Sequence, residues 1–341
     1  MRNLCVFACY AKKSMRVLAS VIFLIFSLVA AFADDQQARL DSLRAEANEA
    51  VYNLDYEGAR NRCRKMLELA ADHPAGPQCY ASSLWVEHLS RDWAAKATLY
   101  NDNASDAKTR VDRNQADEFR RWTRQAKQLA EARLRKDPKD VEALYFLGAA
   151  EGVEAAFAAG VERKFMAAFR SGTDSVERHR AVLKLAPEFR DAELTIGLLN
   201  YVVGSLPLPT KMLAATMGVR GSKKRGLESL ERVAAEGKWA RDVARVVLVD
   251  LYKREERWAD SVRMARELAE KYPRNYLFKL QMADALTSQI VTMRKAKKPV
   301  TTEEKDLNNI FTSLLRDKNL DTAARDLVNV RWNTARQQLK F

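Results

Sequence analysis

Beyond residue 33, apolar residues recur at i, i+3, i+4 and i+7 along almost the whole chain, the spacing of one buried helical face. The pattern predicts helices over 36–53 and 56–71, parted by Asn53-Leu54-Asp55, and a stop at His73-Pro74-Ala75-Gly76-Pro77. Further helices are expected over 78–89, from Trp93 to about 101, over 113–136 ending at Asp137-Pro138, and over 239–253. The polar stretch 102–112 is the expected loose connection. Only Val246-Val247-Leu248-Val249 is ambiguous with a strand, and it lies inside a helix-length pattern. With 12 Gly and 8 Pro in 341 residues, the chain lacks the turn residues that a β-sandwich or barrel requires.

The prolines act as rulers. Nine and ten residues after Pro138 stand Leu147-Gly148, after Pro187 Ile196-Gly197, and after Pro273 Met282-Ala283. A large apolar residue followed by a very small one, at fixed distance from a helix-ending proline, is the pattern of a tetratricopeptide hairpin. The small residue lets the second helix approach closely. Small pairs precede two of the prolines, Ala126 with Ala130 and Ser261 with Ala265, and Ser175 with His179 is the weaker equivalent. The prolines are 49 and then 86 residues apart, so the repeats are degenerate. The expected fold class is all-α, a tetratricopeptide-like superhelix of six or seven helical hairpins forming one domain over 34–341.

The first 33 residues stand outside that fold. An uncharged stretch over 17–33 follows Met15-Arg16 and ends in Ala31-Phe32-Ala33, the layout of a cleaved signal peptide, with Met15 as the expected true start. Export to the periplasm or envelope is therefore expected, with a retained membrane anchor over 17–33 as the alternative. The chain carries net charge +13, and removing Arg2, Lys12, Lys13 and Arg16 with the leader leaves +9. Such a field favours anionic surfaces, so contact with an envelope membrane through basic loops is open, notably at Arg294-Lys298 and around Arg220 and Lys223-Arg225. Nucleic acid is not an expected partner of an exported chain. Of the remaining cysteines, Cys63 and Cys79 read better as buried hydrophobes than as a disulfide, because a turn at 74–77 would leave them several residues out of level.

One segment breaks the charged pattern: from Thr195 to Val219 the only charge is Lys211. Here Gly197-Leu-Leu-Asn-Tyr-Val-Val-Gly-Ser-Leu-Pro207, Met217-Gly-Val-Arg-Gly221 and Arg225-Gly226-Leu-Glu-Ser-Leu230 resemble a signature of the inclusion-body-clearance and tetratricopeptide-39 family. Tyr272-Pro-Arg-Asn-Tyr-Leu-Phe278 and Leu54-Asp-Tyr-Glu-Gly-Ala59 fit the same pattern, and the resemblance extends over about 53–286. It implies a helical tetratricopeptide scaffold without enzymatic activity. The leader and Ser222-Lys223 depart from the family, which places the chain nearest exported bacterial-type relatives.

Catalytic chemistry finds little footing. The 3 His residues, His73, His88 and His179, pair with no second ligand at metal spacing. His179 reads as a packed seam residue. Gly218-Val-Arg-Gly-Ser-Lys-Lys-Arg-Gly226 lacks both the strand and the Gly-Lys-Ser/Thr ending of a phosphate loop. The 6 Trp residues read as core. No enzyme, metal or cofactor is expected. Binding is, on the inner face lined by first-helix side chains. Counting seven and eleven residues past each proline gives Tyr145 and Ala149, Leu194 and Leu198, then Leu280 and Asp284, with Tyr201 nearby. Leu206, Pro207, Leu208, Pro209 and Met212 belong to an insert expected to run extended and to contact a partner, close a pocket or plug the core. The leading expectation is a scaffold for a protein segment. The alternative is a carrier of an apolar small ligand serving a transport system.

Overall fold

The computed structural model describes residues 35–98 and 112–340, and every regular element among them is a helix. The leader read at 1–33 and the connection read at 102–111 lie outside the described residues. The order is α1 (35–52), α2 (Tyr56–Leu69), α3 (Ala75–Thr98), α4 (Arg113–Lys136), α5 (Val141–Gly160) and α6 (Phe165–Leu185). A 3-10 turn (Arg190–Ala192) leads to α7 (Glu193–Ser205), α8 (Leu208–Thr216), α9 (Lys223–Glu236) and α10 (Arg241–Arg254). Then come α11 (Trp258–Lys271), α12 (Tyr276–Lys295), α13 (Thr301–Arg316) and α14 (Thr322–Leu339). Neighbours in sequence pack side by side, except that α7 passes over α8 to pack on α9. The last helix packs on α3, where the Arg331 guanidinium lies 5.3 Å from the Trp93 ring. The result is an all-α superhelix.

The proline register has a local cause. Proline ends one helix, and the residue two places on caps the next. After Pro138, Asp140 accepts from the Ala143 N–H at 2.9 Å; after Pro273, Asn275 accepts from the Leu277 N–H at 3.0 Å. After Pro187 no side chain caps α7, and the 3-10 turn takes that place. Its Asp191 instead caps α10 from outside, accepting from the N–H groups of Lys238 (3.1 Å), Trp239 (2.7 Å) and Ala240 (2.6 Å). The 86-residue interval holds two hairpins, α7 with α9 and α10 with α11, the first ending at Gly237 instead of proline.

The small residues mark real crossings. A Cβ on Gly148 would sit 2.8 Å from His179 Nε2. One on Gly197 would sit 3.1 Å from the Gly226 carbonyl, and one on Gly226 2.6 Å from the Tyr201 nitrogen. The signature glycines are thus what lets α7 and α9 touch backbone to backbone, with α8 looped out between them. Ser175 Oγ donates to the Gly148 carbonyl at 2.6 Å and Ser261 Oγ to the Val249 carbonyl at 2.8 Å, so the two register serines do the same work.

Four expectations are corrected. Residues 78–89 and 93–98 belong to one unbroken α3, because the stop at 73–77 is also its start: Pro77 falls in the first turn, where its missing N–H costs nothing. Cys63 and Cys79 are bonded, Cα to Cα 5.5 Å. Gly76 lies against the α2 backbone, 2.9 Å from the Leu67 nitrogen to a hypothetical Cβ, which levels the two helices so that Cys79, one turn on, meets Cys63. The Leu206-Pro207-Leu208-Pro209 run is not extended: Pro207 is the N-cap of α8 and Pro209 sits in its first turn, where fixed φ favours a helix. Nor is it a core plug, since Leu208 is 70% exposed. Val246 to Val249 are helical, as the longer pattern predicts.

Candidate functional site

The superhelix interior is not open. Helix α1 crosses the turns that begin α5, α10 and α12, about 27 Å of helix tying three hairpins together. Gln37 Nε2 donates to Glu142 Oε1 (3.2 Å), Lys238 Nζ to Asp41 Oδ2 (2.6 Å), and Asn275 Nδ2 to the Tyr52 carbonyl (2.8 Å). The Tyr52 and Tyr272 rings stand 5.2 Å apart. The inner groove expected to receive a partner segment is therefore roofed by the protein's own helix.

Beneath that roof lies a cavity of about 200 Å³. Its ceiling is Arg44, Ala47, Asn48, Val51 and Tyr52 of α1. The α2–α3 hairpin supplies the disulfide pair, Gln78, Ser82, Ser83, Trp85 and Val86. Opposite stand Tyr145, Ala149, Gly152, Val153 and Ala156 of α5, His179, Asp191 (the one carboxylate on the lining), Leu194, Thr195 and Leu198, with Trp239, Ala240 and Val243 at the start of α10. Tyr145, Leu194 and Leu198, placed on the inner face by the proline count, thus meet in one cavity. The other expected site residues go elsewhere. Tyr201 is buried at the α7–α9 crossing, its hydroxyl donating to Glu255 Oε1 at 2.7 Å. Leu206 is half-buried, while Pro207, Leu208, Pro209 and Met212 face outward on α8. Leu280 is fully buried, and Asp284 sits 3.6 Å from Arg331.

Sequence reasoning missed Arg44 and Trp239. Arg44 is only 9% exposed, and its guanidinium carbon lies 4.2 Å from the Trp239 ring and 4.8 Å from the Phe146 ring. Tyr145, Phe146, Phe189 and Trp239 form one aromatic cluster with centroids 5.0 to 5.8 Å apart. Cation–π attraction offsets part of the cost of burying the charge. Yet Arg44 ion-pairs with no carboxylate within the described residues, and among them Arg44 Nη1 and Trp239 Nε1 have no hydrogen-bond partner. The Asp191 carboxylate nearby is committed to the N-terminus of α10. A usable signal existed: Leu40, Arg44, Ala47 and Val51 share one helical stripe, so Arg44 stands where the pattern calls for an apolar residue.

The remaining polar groups of the wall are neutral. Burial pushes the His179 imidazole down to about 4, and burial pushes the Tyr145 phenol up to about 12. His179 Nε2 faces the Tyr145 carbonyl at 3.2 Å, an atom that only accepts, so Nε2 carries the proton and Nδ1 accepts from the Thr195 hydroxyl. Both nitrogens are engaged, which makes this residue a wall and not a free base. Among the described residues no cluster of His, Cys, Asp or Glu is arranged to hold a metal ion, and no helix is long and apolar enough to cross a membrane.

The sequence matches no family model and no curated protein. Among solved structures, a human IFIT1 dimer with m7Gppp-AAAA resembles 88% of this chain and 68% of its own, at 12% identity and a TM-score of 0.37. A monomeric IFIT1 mutant with Gppp-AAAA covers the same shares at 11% identity and a TM-score of 0.36.

Proposed function

We propose that the chain is a noncatalytic, exported helical-repeat binding protein whose inner cavity holds a small apolar molecule bearing an acidic group. The observation that carries this reading is the buried Arg44 guanidinium, without a carboxylate partner in the described residues, on the wall of a largely hydrophobic cavity. A buried cation is costly unless an anion meets it. A carboxylate or similar head on the ligand supplies that anion, and the aromatic cluster holds the rest. The size is informative: an engineered cavity of about 150 Å³ takes up benzene, so about 200 Å³ suits a single ring or a short chain. Export is supported by the 17–33 apolar stretch and by the disulfide, which persists in oxidising compartments. The family resemblance draws support from the signature glycines, which build the α7–α9 crossing. A scaffold for protein segments has less support at this site, because α1 already lies where such a segment would bind.

The test is calorimetric titration with octanoate, 3-phenylpropionate and their methyl esters, with a single-stranded oligoribonucleotide as counter-probe. The acids bind, and Arg44→Met weakens them at least tenfold while leaving ester binding unchanged. Acid binding insensitive to Arg44→Met, or binding of the oligonucleotide alone, overturns the assignment.

A further inference from the structure

Helix α8 is turned inside out. Its only buried residue is Ala214, and Lys211, its one charge, is drawn back to donate to the Gly204 carbonyl at 2.8 Å. The outward arc, running into the residue that ends the helix, is Leu208, Pro209, Met212, Leu213, Thr216 and Met217, with no charge among them. Leu208 is 70% exposed, Met212 and Leu213 63% each. Beside it, α6 opens on Phe165 and Met166, 67% and 70% exposed. A cleft of about 480 Å³ opens between α6 and α7, and the stretch from Met217 to Arg220 that leaves α8 closes one side of it, facing Met166 and Phe169 of α6. So many large apolar side chains left exposed on a chain that is 30% charged, and running through Met217 into that cleft, mark an interaction surface.

The charges around it select the partner. Arg170, Arg180 and Arg220 line the cleft, are exposed, and are neither ion-paired nor hydrogen-bonded within the described residues. Glu177 is the only carboxylate on the lining. Arg163 and Lys164 precede Phe165, and Lys223, Lys224 and Arg225 follow the insert, all exposed. Protruding flexible apolar side chains ringed by unpaired arginines match the acyl–headgroup boundary of an anionic bilayer, where chains enter the lipid and guanidinium forks meet phosphate.

We propose that α8 and the start of α6 form a membrane-docking face for anionic phospholipid, with the Arg170–Arg180–Arg220 cleft taking the headgroup phosphate. This face is separate from the inner cavity and does not depend on what the cavity holds. The experiment is flotation of the full chain, extracted without detergent, with phosphatidylglycerol-containing and with pure phosphatidylcholine vesicles over a range of salt. The protein floats with the anionic vesicles, and rising salt releases it. Met212→Glu with Leu213→Glu, both at exposed positions, reduces binding at least tenfold with an unchanged circular dichroism melt. Arg170→Gln, Arg180→Gln and Arg220→Gln lower affinity about fivefold per arginine removed and flatten the salt dependence. Equal flotation with both vesicle types, or flotation indifferent to the glutamate pair, overturns the proposal. So does retention by single-stranded RNA in place of vesicles, which would reassign the arginines to nucleic acid.

Discussion

Filling the inner cavity should stabilise the protein while abolishing its binding. Ala149 lines the cavity on α5, whereas its neighbour Ala150 is 1% exposed and packed. Ala149→Leu adds three carbons, worth at most about 2.4 kcal/mol at roughly 0.8 kcal/mol per buried methylene. Fixing the leucine rotamer costs about 0.5–1 kcal/mol, and the helix propensities of Ala and Leu are close. The net expectation is a gain of about 1.5 kcal/mol. The same change at Ala150 has no space to enter and should cost about 1–3 kcal/mol by overpacking. Urea unfolding followed by far-UV circular dichroism reads both, and calorimetry on Ala149→Leu should show acid binding weakened more than tenfold. If Ala149→Leu is destabilised as much as Ala150→Leu, the cavity is not there to be filled and the binding argument fails with it.

Three further outcomes follow from the packing. Replacing both Cys63 and Cys79 with Ala opens a loop of sequence separation 16, so unfolding stability should drop by about 3 kcal/mol; an unchanged urea midpoint would refute the pairing. Gly148→Ala places a Cβ 2.8 Å from His179 Nε2, so a loss of about 1–3 kcal/mol is expected, and a neutral melt would remove the reason for glycine there. Burial pushes the Glu151 carboxyl up to about 7 from its usual 4.5, with Oε2 lacking a hydrogen-bond partner in the described residues and Arg178 3.8 Å away. A raised acid is stable protonated and loses stability as pH rises from 4.5 towards 7, so Glu151→Gln should match wild type near pH 4 and gain about 2–3 kcal/mol above pH 7. The variant-minus-wild-type difference isolates this group from His179, whose lowered pKa acts with the opposite sign, and a pH-independent difference would mean the carboxylate is solvated.

What the sequence made legible was whatever a helix fixes locally. Cap and small residue recur two and ten residues past the proline, within a single helix start, so the register around Pro138 and Pro273 is readable, and counting helical turns from that fixed start carries Tyr145 and Leu194 to the inner face. Features set by distant contacts could not be read that way. Arg44 looks like a solvated charge until Trp239, 195 residues on, closes over it. The disulfide depended on Gly76 allowing α3 to start against the α2 backbone, a tertiary approach that spacing alone does not reveal. Missing charges mark the insert but do not reveal its shape, because two prolines near a helix start read as breakers unless the start is recognised.

The cavity itself arises from a mismatch of side-chain sizes. Along α5 the inner stripe runs Tyr145, Ala149 and Ala156, at i, i+4 and i+11, large at one end and small thereafter, while Gly152 between them is packed, a Cβ there falling 3.0 Å from Thr195 Cγ2. Small stripes normally draw a neighbouring helix into contact. Here α1 is held off at the large end, where the Arg44 guanidinium is wedged 5.7 Å from the Tyr145 centroid and against Trp239. On the far side, α5 is pinned to α6 by Gly148 against His179 and by Ser175 on the Gly148 carbonyl. The α5 wall therefore cannot move in to close the gap. Space persists where small residues face a propped roof, and the prop is the same arginine for which an anionic ligand is proposed. Binding charge and cavity volume thus have one structural origin, which is why Arg44, unremarkable among the 58 Lys and Arg of the chain, is the position on which the functional reading turns.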